Sequence, residues 1–214
     1  DISSGGGRTV LFVSHNMASV QHICNKVMII NNGEIKFHGN TIDGIHRYLH
    51  EKSNSSKLEL SERIDRKGSG CLRFVNVKTR NRDSNNTNLI SGCGFRMLID
   101  FEVNKILYNV IFRAIFSDNR DNICFVCNNF HSSKPFPIID KSGSIALDID
   151  DFPLPQGEYF IHLQALSNNE ILDEIEFVDE ITVEKGDYFK TGKVPSIKGG
   201  VLIKHDWGLI KNEK

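Results

Sequence analysis

The sequence predicts a mainly β protein, an immunoglobulin-like antiparallel β-sandwich preceded by a short α/β segment. Two observations point to the sandwich. From Cys71 onward eight short apolar runs follow one another, separated by clusters of Asn, Asp, Gly and Pro, with no helix-length periodicity between them. In the clearest run, FRMLIDFEV, apolar and polar residues alternate with the period of a strand that has one buried face. The α/β segment is announced by TVLFVS, residues 9–14, a β-branched run with little alternation, as expected of a strand covered on both faces.

After that run, Asn16 can cap a helix in which Met17, Val20, Ile23 and Cys24 recur at helical spacing. KVMII, the dipeptide Asn32-Gly33 and EIKFHG then read as strand, tight turn and strand. Thr41 can cap a second helix, with Asp43 in its first turn and Ile42, Ile45 and Leu49 on one face. Residues 51–69 are polar and poor in large apolar groups, which is linker composition. The expected organisation is therefore an N-terminal unit over 1–50, a linker over 51–69 and a sandwich over 70–214.

The eight runs are CLRFVNVKT, FRMLIDFEV, NVIFRAIFS, NICFVCN, SIALDID, YFIHLQAL, EIEFVDEITV and VLIKHDW. Alternation assigns Phe95, Met97, Ile99, Phe101 and Val103 to the core face of the second, leaving Arg96, Asp100 and Glu102 outside. It likewise turns Val110, Phe112, Ala114 and Phe116 inward, and Tyr159, Ile161, Leu163 and Ala165. LPQG, residues 154–157, fits a β-turn that delivers the chain into Tyr159.

Composition removes several function classes. With 26 Lys and Arg against 27 Asp and Glu the net charge is −1, and no basic run interleaved with aromatics suggests nucleic acid. No apolar run approaches the roughly 20 residues of a membrane helix, and DISSGGGR lacks the layout of a signal peptide. Five cysteines without framework spacing argue for reduced thiols. In CFVC, strand alternation would point Cys124 and Cys127 to opposite faces, so no metal site is expected there. The sequons at Asn54 and Asn85 carry no information in a cytoplasmic chain.

His15 ends the first strand-like run, and a lone histidine there fits a structural role as well as a functional one. Its surroundings are more specific. GRTVLFVSHNM, then KVMIINNGEIKFHG, then TIDGIHRYL, over about residues 8–50, closely resembles the end of an ABC-transporter nucleotide-binding domain. By that resemblance His15 is the switch histidine, which would contact the γ-phosphate and the attacking water of ATP in a closed dimer. The chain contains no GxxxxGK[ST], and Gly5, Gly6 and Gly7 precede a strand instead of following one. The resemblance thus implies an incomplete α/β fragment of a nucleotide-binding domain. It implies no catalysis and no cofactor for this chain alone, and ATP with magnesium only in the full-length parent.

GSGCLRFVNVKT, LPQGEY and GGVLIKHDWG, within residues 65–210, resemble the C-terminal carbohydrate-binding domain of ATPase subunits that export O-antigen polysaccharide, the Wzt type. That resemblance implies cytoplasmic recognition of the polysaccharide at its modified non-reducing terminus. It also implies a homodimer with an exchanged last strand and a membrane permease partner that holds the subunit at the inner membrane. Arg96 and Arg113 could pair with an acidic or phosphorylated sugar, and His162 and Gln164 alternate outward beside them; an ordinary solvated face would present the same residues. Val201, Ile203, His205 and Trp207 are the expected dimer interface. Two alternatives stay open. One is a protein-binding or dimerisation module; the other is a glycan hydrolase, for which DIDD, Asp148–Asp151, offers no legible pair of acids.

Overall fold

A computed structural model describes residues 9–14, 17–31, 33–55, 59–84, 88–197 and 199–208, of which 9–14 come first. They form no strand, and Leu11 and Val13 are 90% and 96% exposed. A strand needs a neighbour to take its N–H and C=O groups, and no described strand lies beside this one. Helix α1, Met17–Ile23, buries Met17 and Val20, while Ile23 is exposed. A hairpin follows, β1 (Lys26–Asn31) and β2 (Glu34–Asn40), paired antiparallel. Its expected turn residue Asn32 lies outside the described residues, as do His15 and Asn16.

Helix α2, Thr41–Ser55, starts at Thr41, but its cap is Asn40, whose Oδ1 accepts from the Asp43 N–H at 2.9 Å. Asn40 Nδ2 also donates to the Asp43 carboxylate, and Thr41 Oγ1 donates to the Cys24 carbonyl. Ile45 and Leu49 are buried as expected, whereas Ile42 faces solvent. Gly44 lets α2 approach the hairpin closely, because a Cβ there would lie 2.0 Å from a Val27 methyl.

Residues 51–55 continue α2, and Leu60–Glu62 form one 3-10 turn. Their polar composition conceals burial: Leu60 and Arg63 are 6% and 2% exposed. Then come β3 (Arg66–Lys67), β4 (Leu72–Asn81), β5 (Leu89–Ile90), β6 (Phe95–Val103), β7 (Leu107–Asp118) and β8 (Ile123–Asn128). The short helix α3 (Asn129–Ser132) precedes β9 (Phe136–Ile139), β10 (Gly143–Ile149), β11 (Gly157–Ser167) and β12 (Glu170–Glu184). Three strands make one sheet, in the order β10-β6-β4. The larger sheet runs β3-β12-β11-β7-β8, with β5 beside β12 and β9 beside β7. The fold is an antiparallel sandwich, with β5 the parallel exception.

The alternation of β6, β7 and β11 holds, and those inward residues form the core. Aromatic rings bridge the sheets: Phe95 meets Phe116 edge-on at 5.7 Å and stacks on Phe152 at 4.5 Å. In β8 the expectation fails. A register shift opposite Phe116 and Ser117 leaves Cys124 outside the pairing, so Cys124 and Cys127 both pack against the core. Burial lifts the Cys124 thiol to about 11 and raises that of Cys127. Residues 201–207 form no strand; the Leu202 N–H donates to the Pro153 carbonyl at 2.8 Å.

Candidate functional site

The outer face of the large sheet carries a row of polar side chains that the register itself assembles. Asn128 on β8 opposes Arg113 on β7, Arg113 opposes Gln164 on β11, Gln164 opposes Glu174 on β12, and Glu174 opposes Lys67 on β3. Hydrogen bonds run along the row: Arg113 Nη1 donates to Gln164 Oε1 at 2.9 Å, and Gln164 Nε2 donates to Glu174 Oε2 at 2.5 Å. Lys67 Nζ donates to Glu174 Oε1 at 3.0 Å and lies 3.5 Å from Glu176. The Glu174 hydrogen bond raises the Lys67 ammonium above its ordinary range. Asn128 is committed elsewhere, since its Oδ1 caps α3 by accepting from the His131 N–H. Two cations and two carboxylates thus balance across Arg113, Gln164, Glu174, Glu176 and Lys67, with planar amide and carboxylate groups held in place.

Of the four side chains that alternation selected, Arg113 and Gln164 come together and two do not join them. Arg96 sits on the outer face of the other sheet, about 10 Å of sandwich away from the row's sheet. There its guanidinium grips Asp148 with two bonds of 2.6 and 2.8 Å, which raises the guanidinium and lowers the carboxyl. A two-arginine clamp for an anionic sugar is therefore not assembled. His162 does lie on the row's face, yet it is 8% exposed, because the Phe177 ring covers it at a centroid distance of 4.7 Å. Alternation gives the face of a strand and says nothing of what lies over it. Glu174 and Lys67 escaped sequence reading because only the register brings them beside Gln164.

Other candidate chemistry disperses. Asp148, Asp150 and Asp151 each hold a separate cation, Arg96, Arg82 at 2.6 Å and Lys190 at 3.0 Å, with Lys204 also on Asp151. Among the described residues no three His, Cys, Asp or Glu converge as a metal site. Ser117 Oγ lies 2.7 Å from His162 Nε2, with Asp121 at 3.6 Å from the same nitrogen. This is not a nucleophile and its base: Nδ1 accepts the Phe177 N–H at 3.2 Å, so Nε2 carries the proton and donates to Ser117.

At the C-terminal end of the described chain, Val201 is half-buried, and Ile203, His205 and Trp207 are exposed, the last at 92%. His205 stands edge-on between Phe189 at 5.5 Å and Trp207 at 6.2 Å, in a groove of about 820 Å³. Among the described residues no helix is long and apolar enough to cross a membrane.

The description of the Wzt C-terminal domain matches residues 63–194. Among curated proteins, "Methionine import ATP-binding protein MetN 1" and "MetN 2", from two strains of Staphylococcus epidermidis, are each 25% identical over 142 residues, 61% of this chain. The match takes in 38% of their length, so this chain spans well under half of those relatives. Among solved structures, the "C-terminal domain of wzt" superposes with a TM-score of 0.54 at 12% identity, covering 70% of this chain and 92% of that one. At that identity the likeness is one of fold.

Proposed function

Because this chain belongs to the Wzt C-terminal domain family, we propose that its sandwich is the glycan-recognising part of an ABC-transporter ATP-binding subunit, reading O-antigen polysaccharide before export. The observation that carries this reading is the row Arg113–Gln164–Glu174–Lys67. Sugars present paired hydroxyls, and planar amides and carboxylates fixed in a row bond them two at a time. The near cancellation of charge suits a hydroxyl-rich, uncharged stretch of glycan, and a modified non-reducing terminus is bound at the end of that stretch.

Residues 1–50 supply the end of a nucleotide-binding domain. In the parent subunit ATP and magnesium bind upstream, His15 acts as the switch histidine, and a membrane permease is the partner at the cytoplasmic side. Exposed Ile203 and Trp207, with Val201 and His205 beside them, support a homodimer in which the last segment crosses to the other copy.

Gln164→Ala and Glu174→Ala each remove one link of the row while leaving the core untouched. Each is expected to weaken binding of the cognate polysaccharide about tenfold, or about 1.4 kcal/mol, by affinity electrophoresis. Unchanged migration of both variants beside a retarded wild type would move the site off this face.

A further inference from the structure

Strand β12 breaks its pairing with β11 at two places, beside Leu172 and, more widely, opposite His162. Ile161 opposes Asp179 and Leu163 opposes Ile175, so three residues, Glu176, Phe177 and Val178, stand against His162 alone. Phe177 takes φ = +52°, a left-handed conformation that a bulky side chain rarely adopts. The amide groups displaced from the ladder are recovered by two buried side chains. Phe177 N–H donates to His162 Nδ1, and Arg63 donates to the Phe177 carbonyl at 2.8 Å and the Glu176 carbonyl at 2.7 Å. Arg63 is itself held by Asp65, through Nε at 3.0 Å and Nη2 at 2.7 Å.

This bulge turns the Phe177 ring out of the sandwich. It meets Phe160 edge-on at 5.1 Å, and the two rings share a cluster with Met17 and Val20 of α1 and Ile45 and Leu49 of α2. That cluster is separate from the core between the sheets. A left-handed phenylalanine, two buried side chains spent on its backbone and a ring delivered into a second cluster all serve one end.

We infer that the Phe177 bulge, latched by His162 and Arg63, is the joint that holds helices α1 and α2 on the sandwich, so that the two parts move as one body. The sandwich then does not swing on a tether. Where residues 1–50 are read as the end of a nucleotide-binding domain, movement there is carried directly to the sheet bearing the polar row. Only this last consequence rests on the proposed function; the joint does not.

Hydrogen exchange of the whole chain tests the joint without any ligand, in wild type and in Phe177→Gly. Glycine accepts the positive φ and deletes only the ring. Amides of residues 17–23 and 41–55 are expected to exchange at least tenfold faster, while those of β6 and β7 keep their wild-type rates. Wild-type protection of both helices would overturn the joint. If Phe177→Gly loses protection throughout, Leu49→Ala approaches from the helical side. It is expected to loosen α1 and α2 alone, and unchanged helices or uniform loosening of β6 and β7 would overturn the proposal.

Discussion

Asp179 faces the interior, opposite Ile161 in the register, and its carboxylate accepts from Thr79 Oγ1 of the facing sheet at 3.0 Å. Burial raises its pKa despite that bond. The folded state thus holds this proton more tightly than the unfolded chain does. Stability from Asp179 is present below the ordinary aspartate range and is lost as pH rises from there through its raised value. The stability of Asp179→Asn relative to wild type should therefore increase between pH 4 and pH 7 in urea denaturation. A difference that stays flat or falls would show a carboxylate at ease in its site. Asp179 illustrates what was legible at this scale and what was not. The inward residues of β6, β7 and β11 follow from period two, but the partner that meets a polar side chain depends on which strands face each other across the core. Arg63 escaped for the same reason, because its acceptors are backbone groups 113 and 114 residues away.

At the scale of elements, seven of the eight strands expected in the sandwich form, and β3, β5 and β9 are added where short pairings left no pattern to read. The failures share a cause. Residues 9–14 and 201–207 have strand-like sequences, yet a strand is a property of a pair, and among the described residues neither run has its ladder neighbour. The β8 bulge, which puts Cys124 and Cys127 on one side, is likewise set by its partner β7. Gly68 marks how closely such elements approach: at φ = +120° its Cβ would lie 2.7 Å from the Leu172 carbonyl carbon and oxygen. Gly68→Ala should cost well over 1 kcal/mol, since both the backbone angle and the neighbouring backbone refuse the methyl. A melting temperature equal to that of wild type would mean that β3 can leave β12 freely.

Across the whole molecule, the sandwich was legible from spacing and alternation, and the family description now covers residues 63–194 of it. The polar row was half legible, because Arg113 and Gln164 follow from alternation but Glu174 and Lys67 follow only from register. The seat of α1 and α2 on Phe160 and Phe177 was hidden, since a left-handed phenylalanine leaves no mark in composition. On the proposed function, the polar row is a hydroxyl-binding face on a sheet fixed, through the Phe177 bulge, to the helices before it. The proposal that this face recognises a finished polysaccharide is open to direct test. The most direct measurement is calorimetric titration of the chain with the O-polysaccharide of its own source, beside an unrelated O-polysaccharide and a cognate sample stripped of its terminal modification. Heat of binding is expected for the intact cognate glycan alone, diminished by Gln164→Ala. Equal binding of all three, or none by a folded chain, would contradict the proposal.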